Sequence, residues 1–248
     1  VTTPLPIGFT CHVANVGIKD DTDDFVVVVS DRPAAASGLF TRSRFAGPSV
    51  VVSRDHVASG TAQAVVVISK NANVATGAEG LANAREVVAG VAERLGCAAS
   101  DVLIASTGVI GRQYPMDRVR RGLAAIPASP AGADAGAVAR GIMTTDTVPK
   151  TATARAGAAR VVGVAKGVGM IEPDMATLIT LVFTDAAVAP ADLDAVWRRV
   201  IDRTFNCVSI DTDTSTSDTA IVLANGAAGP VDLADLEAAL HDVALSLT

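Results

Sequence analysis

Six short runs with almost no polar residues constrain the fold of this chain more than any other feature: 25–29, 64–69, 102–106, 161–165, 178–183 and 220–224. Each is built from Val, Ile, Leu, Ala and Phe, is rich in β-branched side chains, and is too short for a buried helix. Such runs read as strands buried on both faces. Between them lie segments of helical period. In 79–95, Leu81, Ala84, Val87, Val88, Val91 and Leu95 fall on one face, and Gly96 stops the pattern. In 192–205, Leu193, Val196, Trp197, Val200 and Ile201 make a second stripe, and Leu233, Leu236, Leu240, Val243 and Leu247 a third. Shorter helices are expected over 115–126 and 137–143, and short strands over 37–43 and 49–53. Strands that are apolar on both faces need cover on both faces. The order of elements therefore predicts an α/β fold with α+β layers, helices packed on mixed sheets.

Composition narrows the function. Half of the 248 residues are hydrophobic but only 3% are aromatic, so the core is made of small and branched side chains. A net charge of −6 without any basic run argues against nucleic acid or an anionic membrane as the partner. No apolar run approaches the ~20 residues of a membrane span. Cys11, Cys97 and Cys207 are far apart and odd in number, and His12, His56 and His241 are equally scattered. Neither a disulfide framework nor a metal centre is expected, no cofactor is implied, and a reducing cytoplasm fits. The opening Val1-Thr2-Thr3-Pro4 lacks the form of a secretion signal. The last helical stripe stops without a terminating Gly, Asn or Pro, from which the natural chain is expected to continue.

One segment points to chemistry. Lys166-Gly167-Val168-Gly169-Met170-Ile171-Glu172-Pro173-Asp174-Met175-Ala176-Thr177 is glycine-rich and kinked, and it runs directly into the apolar run 178–183. If the bond between Ala176 and Thr177 is cut, Thr177 gains a free α-amine next to its own hydroxyl, and that amine can serve as the base that activates the nucleophile. The glycines allow the bent backbone that self-cleavage needs. On spacing alone the better reading of the same residues is a loop leading into a buried strand. Ser106-Thr107-Gly108 ends another apolar run, where a hydroxyl and a glycine N–H could together hold an oxyanion, or simply form a strand exit.

The twelve-residue pattern resembles the self-cleavage motif of the ornithine acetyltransferase (glutamate N-acetyltransferase) family, in which the cut falls between the Ala and the Thr. That resemblance runs across nearly the whole chain and implies several roles. Thr107 and Gly108 match the family's oxyanion hole, Thr144 in Met143-Thr144-Thr145-Asp146 a substrate contact, and Lys166 another. Asp211-Thr212-Asp213-Thr214-Ser215-Thr216-Ser217-Asp218 matches the family's Asp-x-Asp-x-Ser-Thr-x-Asp segment better than a calcium loop, since Thr216 and Val222 stand where such a loop needs Gly and an acid. Asn71-Ala72-Asn73-Val74-Ala75-Thr76-Gly77 and Arg112-Gln113-Tyr114-Pro115-Met116 are closer to the clavulanic-acid-pathway branch than to the arginine-pathway branch. The resemblance further implies an α/β sandwich of the kind shared with aminopeptidases. It implies an α chain of 1–176 and a β chain starting at Thr177, of which 177–248 is the first part and the family's C-terminal region is missing. It implies an α2β2 assembly, N-acetylornithine as acetyl donor and glutamate as acceptor. Two other readings use the same residues: a self-processing aminopeptidase or amidase, with water as acceptor, and an unprocessed binding subunit.

Overall fold

The computed structural model describes residues 2–167, 178–209 and 215–248. In chain order it contains β1 (Phe9–Ala14), β2 (Phe25–Phe40), α1 (Pro48–His56), β3 (Thr61–Asn71), α2 (Gly77–Leu95) and β4 (Val102–Val109). There follow α3 (Met116–Ala125), α4 (Ala135–Ile142), β5 (Lys150–Ala156), β6 (Ala159–Lys166), β7 (Ile179–Ala187), α5 (Pro190–Arg203), β8 (Thr219–Pro230) and α6 (Leu233–Leu247). Hydrogen bonds join the strands in the order β4-β3-β2-β8-β7-β6-β5, with β1 beside the first half of β2. The pairs β3–β4 and β7–β8 are parallel, crossed by α2 and α5; the other pairs are antiparallel.

β2 sets the architecture. Its first half, 25–29, pairs with β1 and β3, its second half pairs with β8, and the register shifts between Val29 and Ala34. Irregularities of this kind bend a strand, and here the sheet folds back on itself. One distance requires it. β4 and β6 are five strand spacings apart along the sheet, roughly 24 Å if it were flat. Yet Lys166 Nζ, at the end of β6, lies 3.3 Å from Thr107 Oγ1 in β4.

The folded sheet encloses an inner core. Val26, Val28, Val65, Val67 and Leu103 from one half meet Val162, Val164, Leu181, Phe183, Ile221 and Leu223 from the other. The rings of Phe9 and Phe183 stand 5.3 Å apart across the two halves, and α4 adds Val138, Ala139 and Ile142 to the same core. Alternate residues of the same strands face outward. Phe25, Val27, Val66 and Ile104 pack under α1, α2 and α3, while Val161, Val182, Ala220 and Val222 pack under α5 and α6. The two-residue period of a strand thus divides each apolar run between an inner and an outer core, which is why those runs contain so few polar residues. The expected layering of helices on mixed β structure is what the chain adopts.

Two local expectations need correction, and two strands were not expected. Residues 49–53, expected as a strand, lie in α1. Pro48 starts that helix, Val50 and Val52 are buried, and Ser53 Oγ both donates to Ile104 O and accepts from Ile104 N at 2.6 Å. β4 is an edge strand, and the helix satisfies its open side. Residues 37–43 hold no separate strand, since β2 continues unbroken to Phe40. β1 and β5 had no expectation at all; the half-exposed, alternating Lys150–Ala156 carries little apolar signal. Among the described residues no helix is long and apolar enough to cross a membrane.

Candidate active site

The ends of β4 and β6 and the starts of β7 and β8 converge at one place. Lys166 is the last residue of β6 and is 1% exposed, although a lysine is rarely buried without a strong partner. Its ammonium donates to the hydroxyl of Thr107, itself 4% exposed. Burial pushes the Lys166 ammonium below its ordinary range, against the pull of Asp146 and Asp218. Both carboxylates also hold backbone. Asp146 Oδ1 accepts from Gly167 N at 2.7 Å and its Oδ2 from Thr144 N at 3.1 Å. Asp218 Oδ1 accepts from Leu178 N at 2.9 Å, and Leu178 O accepts from Thr219 N at 2.9 Å. The two residues that flank 168–177 are therefore each tied down by an aspartate. Asp218 is fully buried, and its Oδ2 has no hydrogen-bond partner among the described residues. Burial raises its carboxyl to about 7, with the Leu178 N–H, the Ser215 hydroxyl and Lys166 pulling the other way.

Of the residues singled out from sequence, Thr107, Gly108, Thr144 and Lys166 are brought together. Thr107 and Lys166 touch, Gly108 follows Thr107, and Asp146 links Thr144 to the residue after Lys166. Ala176 and Thr177 lie outside the described residues, as does 211–214 of the Asp211 to Asp218 segment. The rest of that segment is tied to the loop before α1. Thr41 Oγ1 donates to Ser215 O, Gly47 N to Thr216 O and Thr41 N to Asp218 O.

Gly108 has a positive φ of 132°, and a Cβ there would stand 2.1 Å from the carbonyl carbon of Lys70. Only glycine fits, so the backbone at this strand end stays open beside the buried Thr107. The turn after Gly108 is held by the loop after β3. Ala72 N donates to Val109 O, Gly111 N to Val74 O at 2.8 Å, and Asn71 Nδ2 to Gln113 O at 2.9 Å. Three non-glycine residues of that loop have positive φ: Lys70, Asn73 and Ala75. Next to it opens a cleft of about 700 Å³ lined by Lys19, Lys70, Arg140, Thr144 and Asp146, with Asp20, Asp21 and Asp23 at its rim loop. Asp146, Asp218 and Lys70 were not singled out from sequence. The only signal was the position of the two aspartates inside longer motif segments.

The geometry suits chemistry at a carbonyl: a buried hydroxyl and an open glycine at one strand end, a buried cation, and two carboxylates that fix the neighbouring backbone. The chain is 58% identical to glutamate N-acetyltransferase Oat2 of Streptomyces clavuligerus over 99% of its own length and 63% of that protein's. The chain thus spans less than two thirds of the length of the curated relatives it matches. The crystal structure of ornithine acetyltransferase from Mycobacterium tuberculosis, complexed with ornithine, is similar with a TM-score of 0.59 at 29% identity, over 70% of this chain and 94% of that one. A β-aminopeptidase from Burkholderia sp. shares the fold alone, with a TM-score of 0.55 at 14% identity over 100% of this chain and 88% of that one. The family model described as "ArgJ family" matches residues 10–248, and the chain belongs to that family.

Proposed function

We propose that the protein is a self-processing acetyltransferase that moves the acetyl group of N-acetylornithine to glutamate. The observation that carries this reading is the buried contact of Lys166 with Thr107, set where the aspartate-held residues Gly167 and Leu178 flank the segment containing Thr177. The two relatives described above, a glutamate N-acetyltransferase and an ornithine acetyltransferase, support the same substrates.

In this mechanism, cleavage between Ala176 and Thr177 gives an α chain, 1–176, and a β chain beginning at Thr177. The freed α-amine takes the proton of the Thr177 hydroxyl as its oxygen attacks the acetyl carbonyl. Thr107 and Gly108 hold the oxyanion, a contribution of ~3–4 kcal/mol per donor in comparable sites. The C–N bond breaks, ornithine leaves with the proton, and the acetyl group remains as an ester on Thr177. The α-amine of glutamate then attacks that ester and restores the hydroxyl. Lys166 and Thr144 hold the amino-acid substrate, Lys166 through its carboxylate. No metal or cofactor takes part in any of these steps. Two copies of each piece form a cytoplasmic α2β2 assembly.

The test is the intact mass of the full-length protein and of its Thr177→Ala variant, followed by initial velocities. Two pieces joined at Ala176/Thr177, absent from the variant, and parallel-line kinetics are expected. A single uncut wild-type chain rules out the N-terminal nucleophile. Release of acetate without acetylglutamate replaces the transferase by a hydrolase.

A further inference from the structure

We propose that Lys70 selects the acceptor: its ammonium pairs with the side-chain carboxylate of glutamate in the cleft beside Gly108. The identity of the acceptor rests on the acetyl-transfer reading; the role of Lys70 as a carboxylate-binding residue does not. Lys70 stands directly opposite Gly108 in the β3–β4 ladder, so its ammonium lies within one side chain's length of the oxyanion donors. Its φ of 76° is in the left-handed region, where an L side chain costs ~1–2 kcal/mol and glycine costs nothing. Of the three residues of this loop held that way, Lys70 is the one that lines the cleft.

The other cations of the cleft and Asp146 are accounted for. Lys19 Nζ donates to Asp23 O and Gly141 O, and Arg140 pairs with Asp134 at 3.5 Å. Asp146 is engaged by two backbone N–H groups. Among the described residues the ammonium of Lys70 has no hydrogen bond and no ion pair, which leaves it the unengaged cation of the cleft, and the carboxylates of Asp20, Asp21 and Asp23 line the same cleft. A cleft with free charges of both signs answers a demand of the two-step reaction. One site must hold in turn an amino acid with a cationic side chain and one with an anionic side chain. Lys70 serves the second, while the aspartates keep the cleft from rejecting the first.

Calorimetric titration of the full-length protein with glutamate, glutamine and ornithine tests this, in the wild type and in Lys70→Gln and Lys70→Gly. Glycine suits the backbone at this position, so the second variant keeps the fold. The wild type should bind glutamate about three- to fivefold more tightly than glutamine, the upper part of the range of a screened ion pair. Both variants should lose that preference with ornithine affinity changed less than about twofold. A wild type that does not prefer glutamate, variants that keep the preference, or a parallel fall in ornithine affinity would each overturn the role of Lys70. Failure of acetyl transfer with the preference intact overturns the transferase reading instead.

Discussion

At the scale of single residues, the most consequential group is Asp218. Its carboxyl is raised to about 7 by burial, whereas in the unfolded chain an aspartate titrates near ~3.9. Between those two values the native protein holds a proton that the unfolded chain releases. The contribution of Asp218 to stability is therefore complete below about pH 4 and is lost as pH rises through about 7. Asp218→Asn keeps an oxygen for the Leu178 N–H but does not titrate. Urea denaturation at pH 5 and pH 8 should show the wild type losing roughly 2 kcal/mol relative to the variant across that interval. Equal shifts in both proteins would mean that Asp218 ionises normally in the native state. Nothing in the sequence marks this residue as buried, because it closes a run of Asp, Thr and Ser that looks like solvated loop. Thr107, Gly108, Thr144 and Lys166 could be picked out because each lies in a segment that resembles a family motif, and the fold brings the four together. Asp146, Asp218 and Lys70 could not, since their roles depend on which backbone N–H or cleft they meet after folding.

At the scale of elements, the runs apolar on both faces were readable as strands and the one-sided stripes as helices, although β2, β7 and β8 continue well past the apolar runs that marked them. The failures fall at edges. Residues 49–53 have strand-like composition but fold as α1, since the open side of β4 rewards a helix that presents the Ser53 hydroxyl. Tertiary contact outweighs a β-propensity whose whole span is only ~1 kcal/mol. The α6 interface gives a sharper case. Gly163 has ordinary backbone angles, so its need for glycine is one of space: a Cβ would stand 2.5 Å from Val243 Cγ1 and 2.8 Å from Leu247 Cδ1. Gly163→Ala should destabilise the protein by about 1–3 kcal/mol, the usual cost of overpacking. Adding Val243→Ala should recover part of that loss in a urea titration, because it vacates the nearer contact. An additive second loss would show that α6 does not rest on this glycine.

At the scale of the whole molecule, the folded sheet makes the two sides of residue 177 inseparable. β7 pairs with β6, and β8 pairs with β2, so the elements after that point are threaded between elements before it. The inner core draws on both halves of the sheet, and each outer core shares its strands with it. Removing the α5–α6 layer together with its strands would expose Val26, Val28, Val65 and Val67 on the other half as well. Unfolding should accordingly be one transition, even though 248 residues exceeds the size at which two-state behaviour is the rule. The single tryptophan reports on one side of this structure. Trp197, on the inner face of α5, is fully buried and donates its Nε1–H to Ala220 O at 3.1 Å. Far-UV circular dichroism reports on all the helices. In urea the two signals should share one midpoint. A tryptophan transition at clearly lower urea would mean that the α5–α6 side unfolds first. The inner core would then not be the link that makes the molecule cooperative.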